Sequence, residues 1–239
     1  MNLNMIDNEI CEKLTALYTK AWDAISNDPV VMAEIERARN LNPANATAKD
    51  FLREYAWTVC GAGFNIKILS RIFPRLEIAF KGWDYEAILR DKEAVRASAL
   101  QIFHHAGKID AILKAAEFLH KHGWDSVKAH LLEGMIITAN GNILPSVSCL
   151  DWLKDAKTKK ELPWLGDTLR LYLLKNLGFD MAKNDIWLTR AVVKYGIQLG
   201  YKSDAPGVQR FVEDMAECVG ERTSVVETVL WNASRIGAI

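Results

Sequence analysis

The sequence predicts an all-α protein built from two helical lobes. Apolar residues recur three or four positions apart along nearly the whole chain, and the every-second-residue alternation of a strand is hard to find. Helix-capping residues such as Asp84 and Asp185 stand before apolar runs. With 239 residues, of which 50% are hydrophobic, the chain can bury a sizeable core without disulfide or metal support.

In the first third of the chain the spacing predicts four helices, the last two on either side of a break at Gly61–Gly63. The four are marked by Ile10 to Ala21, Val31 to Ala38, Phe51 to Val59, and Ile66 with Leu69. The central helices are predicted at Asp84 to Arg90, Lys92 to Phe103, Ala106 to Lys121 and Asp125 to Glu133.

The segment MIITANGNILPSV follows the central helices and is the one ambiguous stretch. Its Asn140-Gly141 dipeptide between apolar pairs fits a small β-hairpin as well as a loop. The remaining helices are predicted at Leu150 to Ala156, Asp167 to Leu177, Asp185 to Leu199, Gly207 to Val219 and Ser224 to Ser234.

Charge and cysteine content narrow the class of protein. Thirty basic and 30 acidic residues cancel, so net charge does not indicate a nucleic-acid partner. The four cysteines (Cys11, Cys60, Cys149 and Cys218) form no CxxC pair, so we expect reduced, buried thiols rather than a disulfide framework or a thiolate metal site. The N-terminus lacks the basic start of a signal peptide and no stretch approaches a membrane span, so we expect a cytoplasmic protein.

The segment LPWLG at 162–166 predicts an anion-binding hairpin. Its two leucines can enter the core, Pro163 sets the turn, and Gly166 permits a ligand to approach the backbone closely. The amides of Gly166 to Thr168 are then expected to point outward at a helix N-terminus. Unpaired N–H groups and the helix dipole stabilise a phosphate there without net positive charge. An ordinary corner between two helices is the alternative.

Several segments together carry a family resemblance. L-P-x-x-G opens an apolar helix, and Lys183-Asn184-Asp185 precedes another. Upstream, Phe103 to Ile109 and the turn Cys60 to Phe64 match further parts of the same pattern, so the likeness covers about two-thirds of the chain. These segments resemble the helix-hairpin-helix DNA glycosylase superfamily, in which the hairpin grips the DNA backbone and a nearby aspartate performs the chemistry. The resemblance implies that Asp185 is catalytic.

The chain departs from the family pattern at the position after the hairpin where bifunctional members carry a lysine nucleophile. Thr168 stands there, and a threonine cannot form a Schiff base. The resemblance therefore implies a monofunctional enzyme that leaves an abasic site. The family's frequent four-cysteine cluster is absent from the sequence, and the region Trp124–Ser148 has no family counterpart.

Two roles are open for Asp185. Cleavage of an N-glycosidic bond develops positive charge on the deoxyribose, and an ionised carboxylate beside C1′ stabilises that charge and can orient water. An aspartate before an apolar run is also well suited to be only the N-cap of the helix Ile186–Leu199. Lys183 and Lys175 are candidates for phosphate contacts or for substitute amines.

Base excision requires a flipped base, a wedge in the gap and an aromatic pocket. Eight tryptophans supply more aromatic surface than a pocket needs, and Trp57, one turn before the glycine break, is the preferred pocket wall. Phe64 and Asn65 in that break are the wedge candidates. The residues expected to bind DNA are Pro163, Trp164, Leu165, Gly166, Thr168 and Lys108.

The expected lobes are a central one at 47–180 and a second one formed by 1–46 with 181–239, with Asp185 in the cleft between them. We expect DNA as the partner, a monomer, no membrane association, no protein-bound metal, and no cofactor beyond a monovalent cation that the resemblance implies at the hairpin carbonyls. Two alternatives remain open at this stage. One is a related enzyme acting on hypermodified phage pyrimidines, and the other is a non-catalytic hairpin module that binds DNA.

Overall fold

A computed structural model describes residues 6–138 and 141–239 and is helical almost throughout. In that part of the chain there are thirteen α-helices, several short helical turns and one sheet of two short strands. The predicted all-α fold is therefore confirmed. None of the described helices combines the length and the apolar character needed to cross a membrane.

The helices are numbered in chain order. Helices α1 to α7 are Asn8–Ile25, Pro29–Asn40, Ala48–Gly61, Ile66–Ala79, Tyr85–Arg90, Lys92–Ile102 and Ala106–His122. Helices α8 to α13 are Trp124–Leu132, Val147–Thr158, Asp167–Asn176, Ile186–Ala191, Ala205–Val219 and Thr223–Arg235.

Side-chain caps explain why most predicted helix starts agree with the structure. The carboxylate of Asp84 accepts a hydrogen bond from the amide of Ala87 at 3.1 Å and begins α5. Helix α3 begins with a capping box in which Thr47 and Asp50 each bond the other's backbone amide. Both sets of contacts are local in sequence, and the sequence pattern predicted the one at Asp84.

The helix predicted at Asp185 to Leu199 is shorter than expected. Helix α11 ends at Ala191, and the chain continues as a π-helical turn, Val192–Gly196, and a 3-10 turn, Ile197–Leu199. A Cβ at Gly196 would lie only 2.9 Å from Val192 Cγ1 and 3.3 Å from Phe211 Cδ2. The absence of a side chain at Gly196 therefore allows Phe211 of α12 to pack closely.

The ambiguous segment forms a small antiparallel pair of strands. Strand β1, Ile136–Ile137, pairs with β2, Ile143–Leu144, in the register Ile136 opposite Leu144. Of the two alternatives, hairpin pairing is the one present. The turn dipeptide that suggested it includes Asn140, which lies outside the described residues, as does Ala139.

The chain folds into two compact units. One unit holds the residues up to Leu41 and those from Gly178 onward, and the other holds Asn42–Leu177. In the first unit, α13 packs against α1, α2, α11 and α12. Its core includes Leu14, Ile35 and Phe211, all inaccessible to solvent. The predicted cleft and its boundaries at 47 and 180 stay predictions.

The unit of residues 42–177 is organised around α7. This helix packs against α3, α5 and α6, and α10 packs against α3 and α9. Phe51, Tyr55 and Ile112 are fully buried in its core. The hairpin that precedes α10 belongs to this unit.

The expectation of four reduced cysteines is wrong for two of them. Cys11 of α1 and Cys218 of α12 form a disulfide, with their Cα atoms 5.5 Å apart. The two residues are 207 positions apart in sequence, so no spacing rule could pair them. Cys60 and Cys149 are free and buried as expected, and burial raises the pKa of each thiol to about 12.

Arg222 ties separate parts of the first unit together. One guanidinium nitrogen, Nη1, donates to the C-terminal carbonyls of α2 at Ala38 (2.8 Å), Arg39 (3.0 Å) and Leu41 (2.7 Å). The other, Nη2, donates to the carbonyl of Gly178 at 2.9 Å, where the chain re-enters the unit. Arg222 therefore satisfies helix-end carbonyls that α2 leaves unpaired.

Asp180 stabilises the same region by binding the first amides of α13. Its side chain is 2% exposed, and it accepts from the amides of Ser224 (2.9 Å) and Thr223 (3.3 Å) at the start of that helix. The Arg222 Nε lies 3.7 Å from its carboxylate. A buried carboxylate is stable here because helix amides and a guanidinium surround it.

Candidate functional site

The hairpin that begins α10 is anchored from below by apolar side chains and a tyrosine. Leu162 and Leu165 are fully buried, as the sequence predicted. The hydroxyl of Tyr55 in α3 donates to the carbonyl of Pro163 at 2.5 Å. These contacts fix the hairpin backbone on the surface of the unit.

The strained residue of the hairpin is Trp164, not Gly166. Trp164 has φ 72°, a left-handed conformation that is unfavourable for a residue with a side chain. Gly166 has φ −66° and ψ 175°, which any residue can adopt. A Cβ at Gly166 would meet no described atom within 4 Å. The conformational need for glycine is therefore absent at 166, but the backbone there is open to a ligand.

The unpaired amides lie one residue later than the sequence suggested. The Gly166 amide donates to the Trp164 carbonyl at 2.7 Å, so it is occupied. Among the described residues, nothing accepts from the amides of Asp167, Thr168 or Leu169 in the first turn of α10, and no side chain caps that helix. These three amides have the arrangement that binds an anion at a helix N-terminus.

A series of aromatic rings joins the hairpin to the turn at 61–65 within the same unit. The ring centroid of Trp164 lies 5.7 Å from that of His105, His105 lies 6.2 Å from Phe103, and Phe103 lies 5.0 Å from Phe64. Both ends of the series are solvent-exposed, Phe64 by 38% and Trp164 by 40%. Exposed rings of this kind can stack on unpaired bases.

Lys108, one of the residues expected to bind DNA, lies beneath this ring series and is buried. Its side chain is 3% exposed, and its amine donates to the carbonyls of Cys60 (3.1 Å) and Ala62 (2.5 Å). The amine also lies 5.8 Å from the Phe103 ring centroid and 5.4 Å from that of Trp164. Burial lowers the pKa of Lys108. Lys108 therefore holds the turn at 61–65, and its contact with DNA stays a prediction.

The two wedge candidates have different surroundings. Phe64 projects from the turn and packs edge-on against Phe103. The side-chain oxygen of Asn65 accepts from the amides of Lys67 (3.0 Å) and Ile68 (3.3 Å), so Asn65 is the N-cap of α4. Of the two, Phe64 has the freer side chain, and Asn65 would have to leave its cap to enter DNA.

Trp57, the predicted pocket wall, is half-buried between α3 and α10. Its indole N–H donates to the hydroxyl of Tyr172 at 2.8 Å. Its ring packs edge-on against Phe73, with centroids 4.9 Å apart. Trp57 and Tyr172 therefore form an aromatic pair whose polar atoms share a hydrogen bond.

Asp185 lies in the other unit, where it is the N-cap of α11. One carboxylate oxygen accepts from the amides of Trp187 (2.9 Å) and Leu188 (3.2 Å). The second accepts from the indole N–H of Trp231 in α13 at 2.7 Å and pairs with the Lys183 amine at 3.1 Å. The Lys183 amine also lies 4.8 Å from the centroid of the Trp231 ring.

This arrangement holds the carboxylate of Asp185 in one orientation. An ionised carboxylate offers about four acceptor positions, and the four donors around Asp185 occupy them. Its side chain is 18% exposed. The group is therefore preorganised to act through its charge, and it can orient water only if Lys183 releases an oxygen.

The contacts that three residues make in these sites were not predicted from the sequence. Trp231 was one of eight tryptophans with no distinguishing neighbour, although it donates to Asp185 from 46 positions away. Tyr55 and His105 support the hairpin in the same unpredicted way, through its backbone and through Trp164. Each signal is a long-range contact, which a single sequence does not reveal.

Comparisons with known proteins add no relative. No family model, curated protein or solved structure matches the chain.

If the hairpin binds a DNA phosphate, replacing Gly166 by leucine is expected to weaken DNA binding about tenfold. The loss should be equal for all DNA sequences, because phosphate contacts position DNA without reading bases. The backbone at 166 accepts a side chain without strain, so the fold should survive. Fluorescence anisotropy with two unrelated duplexes measures the effect, and Gly166→Ala is the smaller-side-chain control. Unchanged binding by the leucine variant would show that the hairpin is not the anchor.

Proposed function

We propose that this chain is a monofunctional DNA N-glycosylase that removes a damaged or modified base and leaves an abasic site. The hairpin of the 42–177 unit binds the DNA backbone. Asp185 stabilises the positive charge that develops on the sugar. The exposed rings of Phe64 and Trp164 contact the distorted DNA around the flipped nucleotide.

The observation that carries this proposal is the geometry of the hairpin. Burial holds its two leucines, and the Tyr55 hydroxyl holds the Pro163 carbonyl. The amides of Asp167, Thr168 and Leu169 have no acceptors among the described residues. A phosphate supplies the missing acceptor, and the dipole of the ten-residue helix α10 adds to its stabilisation. The segment also resembles the hairpin of a superfamily that binds DNA in this way.

The proposed reaction is hydrolysis. The bond between C1′ and the base nitrogen breaks, and its electron pair leaves with the base. Water adds through its oxygen to C1′; one of its protons stays on the new hydroxyl group, and the other goes to the nitrogen of the departing base, directly or through solvent. The negative charge of Asp185 stabilises the cationic sugar more strongly than the neutral substrate, which lowers the barrier.

A second function is supported by one specific observation. Two of the four donors around Asp185, the amides of Trp187 and Leu188, are what a purely structural N-cap would have. In that case the chain is a hairpin module that binds DNA without excising a base. The two functions differ in product and not in affinity.

An excision screen separates these functions. The purified protein is incubated in excess over a panel of end-labelled duplexes and single strands that carry damaged bases or hypermodified pyrimidines, followed by hot alkali. A glycosylase produces strand breaks at the modified position only after alkali, whereas a binding module shifts the same DNA in a gel and produces none. The base that is cut identifies the substrate class.

Thr168→Ala is expected to leave excision within about twofold of the parent, because the substitution removes an exposed hydroxyl and keeps the backbone amide. Borohydride trapping gives the complementary result. Without an amine nucleophile the protein should form no covalent adduct with substrate DNA. A trapped adduct that maps to Lys183 or Lys175 would show that the enzyme is bifunctional, and that the monofunctional assignment is wrong.

A further inference from the structure

The outer face of α4 carries three cations at regular spacing. Lys67, Arg71 and Arg75 are all exposed and follow one another at intervals of four residues. Four residues advance a helix by about 6 Å and return the side chain to nearly the same face. Ile68 and Ile78 are also exposed, by 48% and 78%. We call Lys67, Arg71 and Arg75 the α4 basic face.

The α4 basic face has no counter-charge of its own. Within 6–138 and 141–239, no ion pair joins any of its three cations to an acid. Other cations of the same unit are paired, such as Arg96 with Asp110 at 2.6 Å. Like charges four residues apart on a helix repel each other, and Lys67 stands in the first turn, where the dipole disfavours a cation. A bound polyanion would relieve both effects.

The position of this face connects it to the hairpin surface. Helix α4 starts directly after Phe64 and Asn65, and Phe64 is the exposed end of the ring series that leads to Trp164. The three unpaired amides of α10 follow Trp164 in the chain. The ring series thus connects the residues that precede α4 with those that precede α10 in the 42–177 unit.

We propose that the α4 basic face binds the phosphate backbone of duplex DNA as a second anchor beside the hairpin. The choice of partner rests on the proposed function. An anionic membrane is the other polyanion that a basic helix can bind. The apolar side of α4, which includes Leu69, Phe73 and Leu76, is buried in its own unit and cannot enter a bilayer.

The salt dependence of DNA binding tests this inference on the full chain. The triple variant of the α4 basic face, called the stripe variant, is Lys67→Gln with Arg71→Gln and Arg75→Gln. The matched control is Lys49→Gln with Lys154→Gln and Lys157→Gln, which removes the same charge from exposed residues of the same unit. Affinity for an unmodified duplex is measured from low to moderate salt, and the slope of log K against log salt counts the phosphates contacted.

We expect the slope of the stripe variant to be less steep than that of the control by about 2–3, since each lost phosphate contact removes about 0.9. A difference of less than about 1.5 between the slopes of the two variants overturns the inference, even if the parent excises bases normally. A parent that does not bind DNA overturns the inference and the proposed function together. A stripe effect of the expected size in a protein that excises nothing supports this surface and contradicts only the proposed enzyme. Loss of binding to phosphatidylserine vesicles with an unchanged DNA slope would assign the face to membranes and overturn the proposal.

Discussion

Asp185→Asn is expected to slow base release by about 10²-fold or more under single-turnover conditions, a loss of about 3 kcal/mol of transition-state stabilisation. The asparagine oxygen can still accept from the amides of Trp187 and Leu188, so α11 keeps its cap. The negative charge that stabilises the sugar cation is gone. DNA affinity should change little, because the hairpin carries the backbone contacts.

The structure adds a condition to this experiment. The new amide group would face two donors, the Trp231 N–H and the Lys183 amine, and that conflict costs about 1–2 kcal/mol of local stability. Asp185→Ser keeps a cap without this conflict, and Trp231→Phe removes the indole N–H but keeps the carboxylate. Loss of excision in both Asp185 variants, with retention in Trp231→Phe, assigns the effect to the charge. Full excision by Asp185→Asn would make Asp185 a structural cap.

Arg222→Ala is expected to lower the free energy of unfolding of its unit by about 3–5 kcal/mol. The substitution deletes the donors to the α2 carbonyls and to Gly178, and it leaves the buried carboxylate of Asp180 without its guanidinium. Chemical denaturation measures the loss. Hydrogen exchange of the α13 amides locates it in this unit, because Asp180 caps that helix.

Arg222→Lys is the matched control for this prediction. A lysine keeps a positive charge near Asp180 but lacks the planar fork that reaches several carbonyls at once. It should therefore cost less than the alanine variant, about 1–3 kcal/mol. If Arg222→Ala unfolds within about 1 kcal/mol of the parent, the carbonyl contacts do not stabilise the unit.

The parts of the fold that sequence predicts well are those with local causes. Asp84 and Asp185 were recognisable as caps because each bonds amides two or three residues further along. Leu162 and Leu165 were recognisable as anchors from the apolar spacing of the hairpin. The end of α11 at Ala191 was not predicted, and the close contact of Gly196 with Phe211 just beyond it is long-range.

The parts of the candidate site that sequence does not predict depend on partners distant in the chain. The amine of Lys108 donates to the carbonyls of Cys60 and Ala62, which are 48 and 46 positions away in sequence. Because these partners are distant, the sequence does not show that this lysine is buried. The disulfide of Cys11 and Cys218 and the bond from Trp231 to Asp185 have the same character. A single sequence shows which residue types are present, and the fold decides which of them meet.

Detection of the released base is the most direct test of whether the protein hydrolyses an N-glycosidic bond. A duplex cut in the excision screen is incubated with excess protein, and the supernatant is analysed by mass spectrometry while the strand is assayed for an intact abasic site. We expect free base and alkali-labile strand in equal amounts, no strand break before alkali, and formation of both products slowed about 10²-fold or more with Asp185→Asn. Strand breaks without alkali would contradict the monofunctional mechanism. A protein that binds every duplex in the panel and releases no base from any would contradict the claim itself.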